Sequence, residues 1–223
     1  MCGRFTLAID PGELQTAFPG IEFPAMGITP RYNISPSQPV VAILQSSNKY
    51  LDFLTWGLIP SWAKEPSLGA KMINARSETV AEKPSFRNAF RRRRCLIPAS
   101  GFYEWRSDPE TNAKEPVYIY IKNEPLLAFA GLWEIWQSSD GSEIRSCTII
   151  TTQANSFIKP IHDRMPVIIS PANYDKWLTT SEENVNSLTD LFLPYSANEF
   201  TCHRVSRLVN NPLNETEACV KPI

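Results

Sequence analysis

Val117-Tyr118-Ile119-Tyr120-Ile121, Leu126-Leu127-Ala128-Phe129-Ala130-Gly131-Leu132 and Ile144-Arg145-Ser146-Cys147-Thr148-Ile149-Ile150-Thr151 follow one another within residues 117–151. Each run is short, apolar or alternating, and rich in β-branched and aromatic side chains, the composition that fits a pleated, half-buried surface. Val40 to Leu44 and Leu51 to Leu58 read the same way. The turn-prone stretch Ser107 to Glu115 reads as a loop between strands. Helical signals sit at the flanks. Asp10-Pro11-Gly12-Glu13 offers an N-cap, a proline at the first helical position and a Glu that reaches back, with Leu14, Ala17 and Phe18 on one face. Ser170-Pro171 repeats the signal ahead of Tyr174, Trp177 and Leu178, and Ser181 opens a third candidate carrying Leu188, Leu191 and Phe192. Strands grouped centrally with helices flanking them predict an α+β fold: a single domain over residues 1–223, with a strongly curved, barrel-like, mainly antiparallel sheet.

Composition agrees with that reading. A chain of 223 residues with 43% hydrophobic and 20% charged residues is ordinary for a globular protein, and a chain of this size buries roughly 70% of its unfolded surface. Nineteen prolines against nine glycines, spread along the chain, favour strands and rigid turns over a helix bundle. Lys and Arg total 22 and Asp and Glu 23, so the net charge is 22 − 23 = −1 and no global field draws the chain to nucleic acid or membrane. Any nucleic-acid site must be built by local arrangement. No window approaches a membrane span, and the start MCGRFTLAID lacks the pattern of a signal peptide, so a cytoplasmic location is expected. Cys2, Cys95, Cys147, Cys202 and Cys219 are odd in number and contain no CxxC pair, which fits a reducing compartment. With only His162 and His203 beside them, no metal site is expected.

Cys2 is chemically special. Loss of Met1 would leave an α-amine and a thiol on one residue, a 1,2-aminothiol that no internal cysteine can provide. An α-amine with a pKa of about 7.7–8.0 is partly neutral at cellular pH, so it attacks an aldehyde to give an imine, which the thiol then closes into a five-membered thiazolidine.

Six fragments occur in order: Met1-Cys2-Gly3-Arg4-Phe5, Arg31-Tyr32-Asn33-Ile34-Ser35-Pro36, Trp56-Gly57-Leu58-Ile59-Pro60-Ser61-Trp62, Ile73-Asn74-Ala75-Arg76-Ser77-Glu78-Thr79, Phe102-Tyr103-Glu104-Trp105 and Ile161-His162-Asp163-Arg164-Met165-Pro166. Together they resemble the SOS response-associated peptidase family of abasic-site processing proteins, from Met1 to about Val209. The resemblance implies an enzyme without a cofactor that binds single-stranded DNA and captures abasic sites covalently through its N-terminal cysteine. It also implies removal of Met1, by self-cleavage or by an aminopeptidase, and leaves room for lyase behaviour if β-elimination outruns ring closure. Carried over residue by residue, Cys2 is the nucleophile, Asn74 helps hold it, and Glu104 and His162 manage protons. The chemistry agrees: a closed sugar hemiacetal needs an acid to open it, which suits His162, and a carboxylate beside the amine takes its protons and assists loss of water, which suits Glu104. Arg4, Arg31 and Arg76 are the expected phosphate contacts. Trp62 or Trp105 offers a face for a base, and Asn33, Pro36 and Thr151 lie in family-like segments expected near the DNA. The run Arg91 to Arg94 reads equally well as a DNA contact and as a solvated face, and His203 as structural. A monomer is the default expectation.

Other classes compete. Met-Cys-Gly also opens N-terminal nucleophile amidohydrolases, in which the thiol attacks an amide and the amine serves as base, but that family's continuation after Gly3 is missing. A cysteine peptidase acting in trans with Cys2, His162 and Glu104 is a further reading, as is a binding module without chemistry.

Overall fold

A computed structural model describes residues 2–21, 27–108 and 110–223. Among these residues twelve strands run in chain order: β1 Phe5–Leu7, β2 Arg31–Ile34, β3 Pro39–Gln45, β4 Lys49–Trp56, β5 Asn74–Arg76, β6 Arg94–Ala99, β7 Gly101–Ser107, β8 Lys114–Ile121, β9 Leu127–Gln137, β10 Glu143–Gln153, β11 Arg164–Pro166 and β12 Phe200–Arg204. Three short α-helices accompany them: α1 Pro11–Ala17, α2 Arg87–Arg92 and α3 Tyr174–Thr179.

The strands form two units. β10, β4, β3, β6 and β9 pair in that order and β9 returns to β10, which closes a five-stranded barrel. Its seam is the β4–β10 pair, parallel where the rest of the ring is antiparallel, with Ser146 opposite Thr55 and Cys147 opposite Trp56. Closure removes the free edges that an open sheet of this size would expose. The second unit is an antiparallel sheet in the order β12-β8-β7-β1-β2. Edge-to-face aromatic contacts join the two: Phe5 of β1 lies 5.1 Å from Trp56 and 5.8 Å from Phe129, and Phe102 of β7 lies 6.1 Å from Phe129. These four rings are fully buried, so β1 and β7 are fixed against the barrel by the largest apolar side chains available.

The expected capping box at Asp10 and Glu13 is present, and α3 follows a 3₁₀ turn at Pro171–Asn173. The helix expected after Ser181 is instead a 3₁₀ segment, Glu182–Phe192, that still buries Val185, Leu188 and Phe192. The expected strand Leu51 to Leu58 stops at Trp56 because Gly57 takes a φ of 131°. Among the described residues no helix is long and apolar enough to cross a membrane.

Gly57 sets the path of the chain between β4 and β5. A Cβ on it would meet the Gly69 carbonyl oxygen at 2.7 Å, so two glycines let the segment after β4 fold back closely. That return is tied by Leu58 N donating to Met72 O at 3.2 Å and by the Trp56 indole donating to Ile73 O at 2.9 Å, immediately before Asn74. Gly57→Ala is therefore expected to cost about 2–3 kcal/mol, from backbone strain and the clash together. Urea unfolding measures it; an unchanged midpoint would show that the turn relaxes freely.

Candidate active site

The site forms where β1, β5, β7 and the turn before β11 converge. Phe5 lies opposite Phe102, and the Tyr103 amide donates to Arg4 O at 2.9 Å. That antiparallel register runs the chain before Arg4 alongside Glu104. Cys2 is fully buried there. Asn74, the first residue of β5, pairs with Ile149 of β10 and sends its amide to the Cys2 carbonyl at 2.9 Å. Its own Oδ1 is buried and accepts no hydrogen bond among the described residues.

Electrostatics divides the roles. Burial pushes the Cys2 thiol far up, and the nearby Glu104 charge adds to the shift, so the sulfur is held protonated. Glu104, only 4% exposed, is raised to about 7 by burial, against the opposing pull of the positive amino end of the chain. It therefore exchanges a proton near neutrality, as a general acid or base must. Burial lowers His162, and the same amino end lowers it further. Its ring Nδ1 accepts the Arg164 amide hydrogen at 2.9 Å, so the neutral ring carries its proton on Nε2. Asn74 through its bond to the Cys2 carbonyl and Glu104 through its charge on the Cys2 thiol are thus drawn to the start of β1 from distant segments, and His162 is set on the turn before β11.

The residues expected at the DNA are placed unevenly. Trp62 is 57% exposed, and Arg76 is exposed two residues beyond Asn74. Arg4 donates to Asn33 Oδ1 at 2.6 Å and to Val209 O at 2.5 Å, beneath Trp105, whose indole donates to Asn210. Asn33 is fully buried, its amide nitrogen donating to the carbonyls of Val209, Asn211 and Asn214, so it ties Arg4 to the C-terminal segment. Arg31 is held by Gln38 and Glu215. Pro36 sits half-buried in the turn after β2. Thr151 lies buried at the end of β10, its hydroxyl facing Ala75 O and Arg164.

The run Arg91 to Arg94 is largely consumed by the fold. Arg94 is buried and donates to the carbonyls of Phe90, Arg91, Trp177 and Thr180, Arg93 pairs with Glu134 at 2.7 Å and Arg92 with Glu182 at 2.7 Å. His203 bonds Val220 O at 2.7 Å among the rings of Tyr118 and Tyr120, a structural place. No cluster of three or more metal-ligating side chains occurs among the described residues. Sequence reading missed Glu78 and Arg164, which meet in a two-pronged ion pair beside His162. Both lie in motif segments, but only the fold brings them together.

The model of a family described as SOS response associated peptidase (SRAP) matches residues 1–212. The abasic site processing protein YoaM of Bacillus subtilis (strain 168) is 46% identical over 224 residues, covering 97% of this chain and 96% of its own. The abasic site processing protein HMCES of Xenopus tropicalis is 33% identical, covering 100% of this chain and 78% of its own. A crystal structure of a protein from Bacteroides thetaiotaomicron superposes with a TM-score of 0.86 at 25% identity, covering all of both chains.

Proposed function

The chain belongs to the SOS response associated peptidase family, and we propose on that premise that it processes abasic sites in DNA, capturing them in single strands through Cys2 once Met1 is removed. One observation carries the reading: Glu104, a buried carboxyl raised to about 7, lies close enough to Cys2 for its charge to act on the thiol, and Asn74 holds the Cys2 carbonyl.

The reaction is built from those groups. His162 donates its Nε2 proton to the ring oxygen of the abasic sugar as the anomeric hydroxyl gives up its own, which returns to Nε2; the C–O bond of the ring breaks and the hemiacetal opens to an aldehyde with no net change in protonation. The Cys2 amine adds to the carbonyl carbon, and Glu104 takes the surplus proton from nitrogen. The same carboxyl returns a proton to the carbinolamine hydroxyl, water departs and an imine remains. The protonated thiol then adds across the imine, sulfur to carbon and hydrogen to nitrogen, giving a thiazolidine. One water is lost overall. Because burial keeps the sulfur protonated, nitrogen attacks first and sulfur second. Trp62 offers a stacking face and Arg76, two residues beyond Asn74, a phosphate contact, and both are open to solvent.

The test mixes protein lacking Met1 with a single-stranded oligonucleotide carrying one abasic site, and runs a denaturing gel. A shifted band is expected, with a mass one water below the sum of the partners. An unshifted lane, with the mature terminus shown by mass spectrometry, overturns the proposal.

A further inference from the structure

His162 and Asn74 come from distant parts of the chain, yet one ion pair ties their segments together. Arg164, at the start of β11, donates from Nη1 to Glu78 Oε1 at 2.5 Å and from Nη2 to Glu78 Oε2 at 2.9 Å. The same Nη2 donates to the Thr151 carbonyl at 2.5 Å, which also accepts from Ser77 N at 2.9 Å. The clamp therefore joins the segment after β5, the end of β10 and the turn that carries His162. Bidentate Arg–carboxylate pairs fix orientation as well as distance. Arg164 is the sheltered partner, with its side chain 16% exposed against 43% for Glu78. Hydrogen bonding to Arg164 holds the Glu78 carboxyl below its ordinary range, so it stays ionised at neutral pH.

The backbone of the same arginine sets the histidine. Its amide hydrogen occupies His162 Nδ1, and Asn155 Oδ1 accepts from Phe157 N and Ile158 N to shape the turn behind it. Ala154 N donating to Asp163 O at 2.9 Å and the pairing of Arg164 with Gln153 hold the backbone of the turn, and the guanidinium adds a side-chain anchor to that hold. We propose that Glu78 is a positioning residue: by gripping the Arg164 guanidinium it fixes the turn at residues 162–164 and so presents the His162 Nε2 hydrogen to the substrate. The inference rests on the proposed capture reaction, in which that hydrogen opens the sugar. The charged groups that bear on the ring are Asp163, Lys114 and the amino end of the chain. Glu78 acts on it through geometry.

Two histidines in the whole chain make the test direct. Protein labelled with ¹⁵N-histidine is expected to show neutral His162 as a single tautomer with an unprotonated Nδ1, and Glu78→Ala to show a mixture. At saturating abasic oligonucleotide the capture rate of Glu78→Ala is expected to fall about tenfold. Affinity for that oligonucleotide, measured in a Cys2→Ala background, is expected to stay unchanged. Glu78→Gln, whose carbonyl still accepts one Arg164 bond, is expected to recover part of the rate, and it decides the matter if Glu78→Ala does not fold. A variant with wild-type rate and a single tautomer overturns the proposal, as does a rate deficit that vanishes at saturating DNA. If wild type itself forms no adduct, the capture reading fails, while the tautomer comparison still decides whether Glu78 sets the ring.

Discussion

Cys2→Ser with Met1 removed is expected to form no adduct that survives denaturation, and to nick the abasic strand instead. The amine is untouched by this substitution, so the imine still forms. What is lost is the buried thiol that adds to it: a hydroxyl is a far weaker nucleophile, and the imine persists long enough for β-elimination to break the strand. Borohydride added during the reaction should restore a stable band by reducing the imine. A second variant isolates the nitrogen. Protein that retains Met1 keeps the thiol but has an amide nitrogen on Cys2, so an imine formed by the Met1 amine has no thiol placed to close a five-membered ring, and no thiazolidine crosslink should form. At least a hundredfold separates these outcomes from wild type on a gel. Two results would sink the scheme: a denaturation-resistant adduct from Cys2→Ser without borohydride, or one from the Met1-retaining chain. Either would move the covalent chemistry away from the aminothiol.

Much of the architecture was legible because its signals are local. Val40 to Leu44 and Ile144 to Thr151 are found as strands extended by a residue or two, and Leu126 to Leu132 runs on to Gln137 because Trp133 to Trp136 continue the same pleat. Barrel closure was not legible, since it rests on a parallel contact of Ser146 and Cys147 with Thr55 and Trp56, nearly a hundred residues apart. β5 is three residues long and β7 buries its first four residues on both faces, so neither shows a period. Yet these two carry Asn74 and Glu104. Their motifs singled them out where periodicity could not. The arginines at 91–94 show the opposite limit: charge counting cannot tell a DNA contact from a residue that caps α3 carbonyls or meets Glu134, and the structure gives most of them to the fold. Asn33, expected near the DNA, likewise lies buried beneath the C-terminal segment.

Glu104→Gln is expected to move activity and stability in opposite directions, and the sign of each comes from one titration. Glu104 binds its proton with a pKa of about 7 in the folded chain, against 4.5 for an ordinary glutamate. Between those values the folded state holds a proton that the unfolded chain has released, so stability falls as pH rises from about 4.5 to 7 and levels off above. The difference amounts to about 3 kcal/mol at pH 8, the cost of keeping a carboxylate in a buried place. Glutamine has the same shape without the charge. It should be near neutral to stability at pH 4 and stabilising by up to about 3 kcal/mol at pH 8, measured by urea unfolding at the two pH values. Capture should fall about a hundredfold at pH 8, since no group remains to take the amine's proton or return it to the departing hydroxyl. Wild-type rate should climb through pH 7 with the ionisation of Glu104, and the variant should keep only the dependence due to the amine. A glutamine variant that captures at wild-type rate, or that loses stability at pH 8, would remove the carboxylate from the mechanism. The expected pairing, a more stable protein that no longer works, is what a charge held against its solvation for the sake of proton transfer must produce.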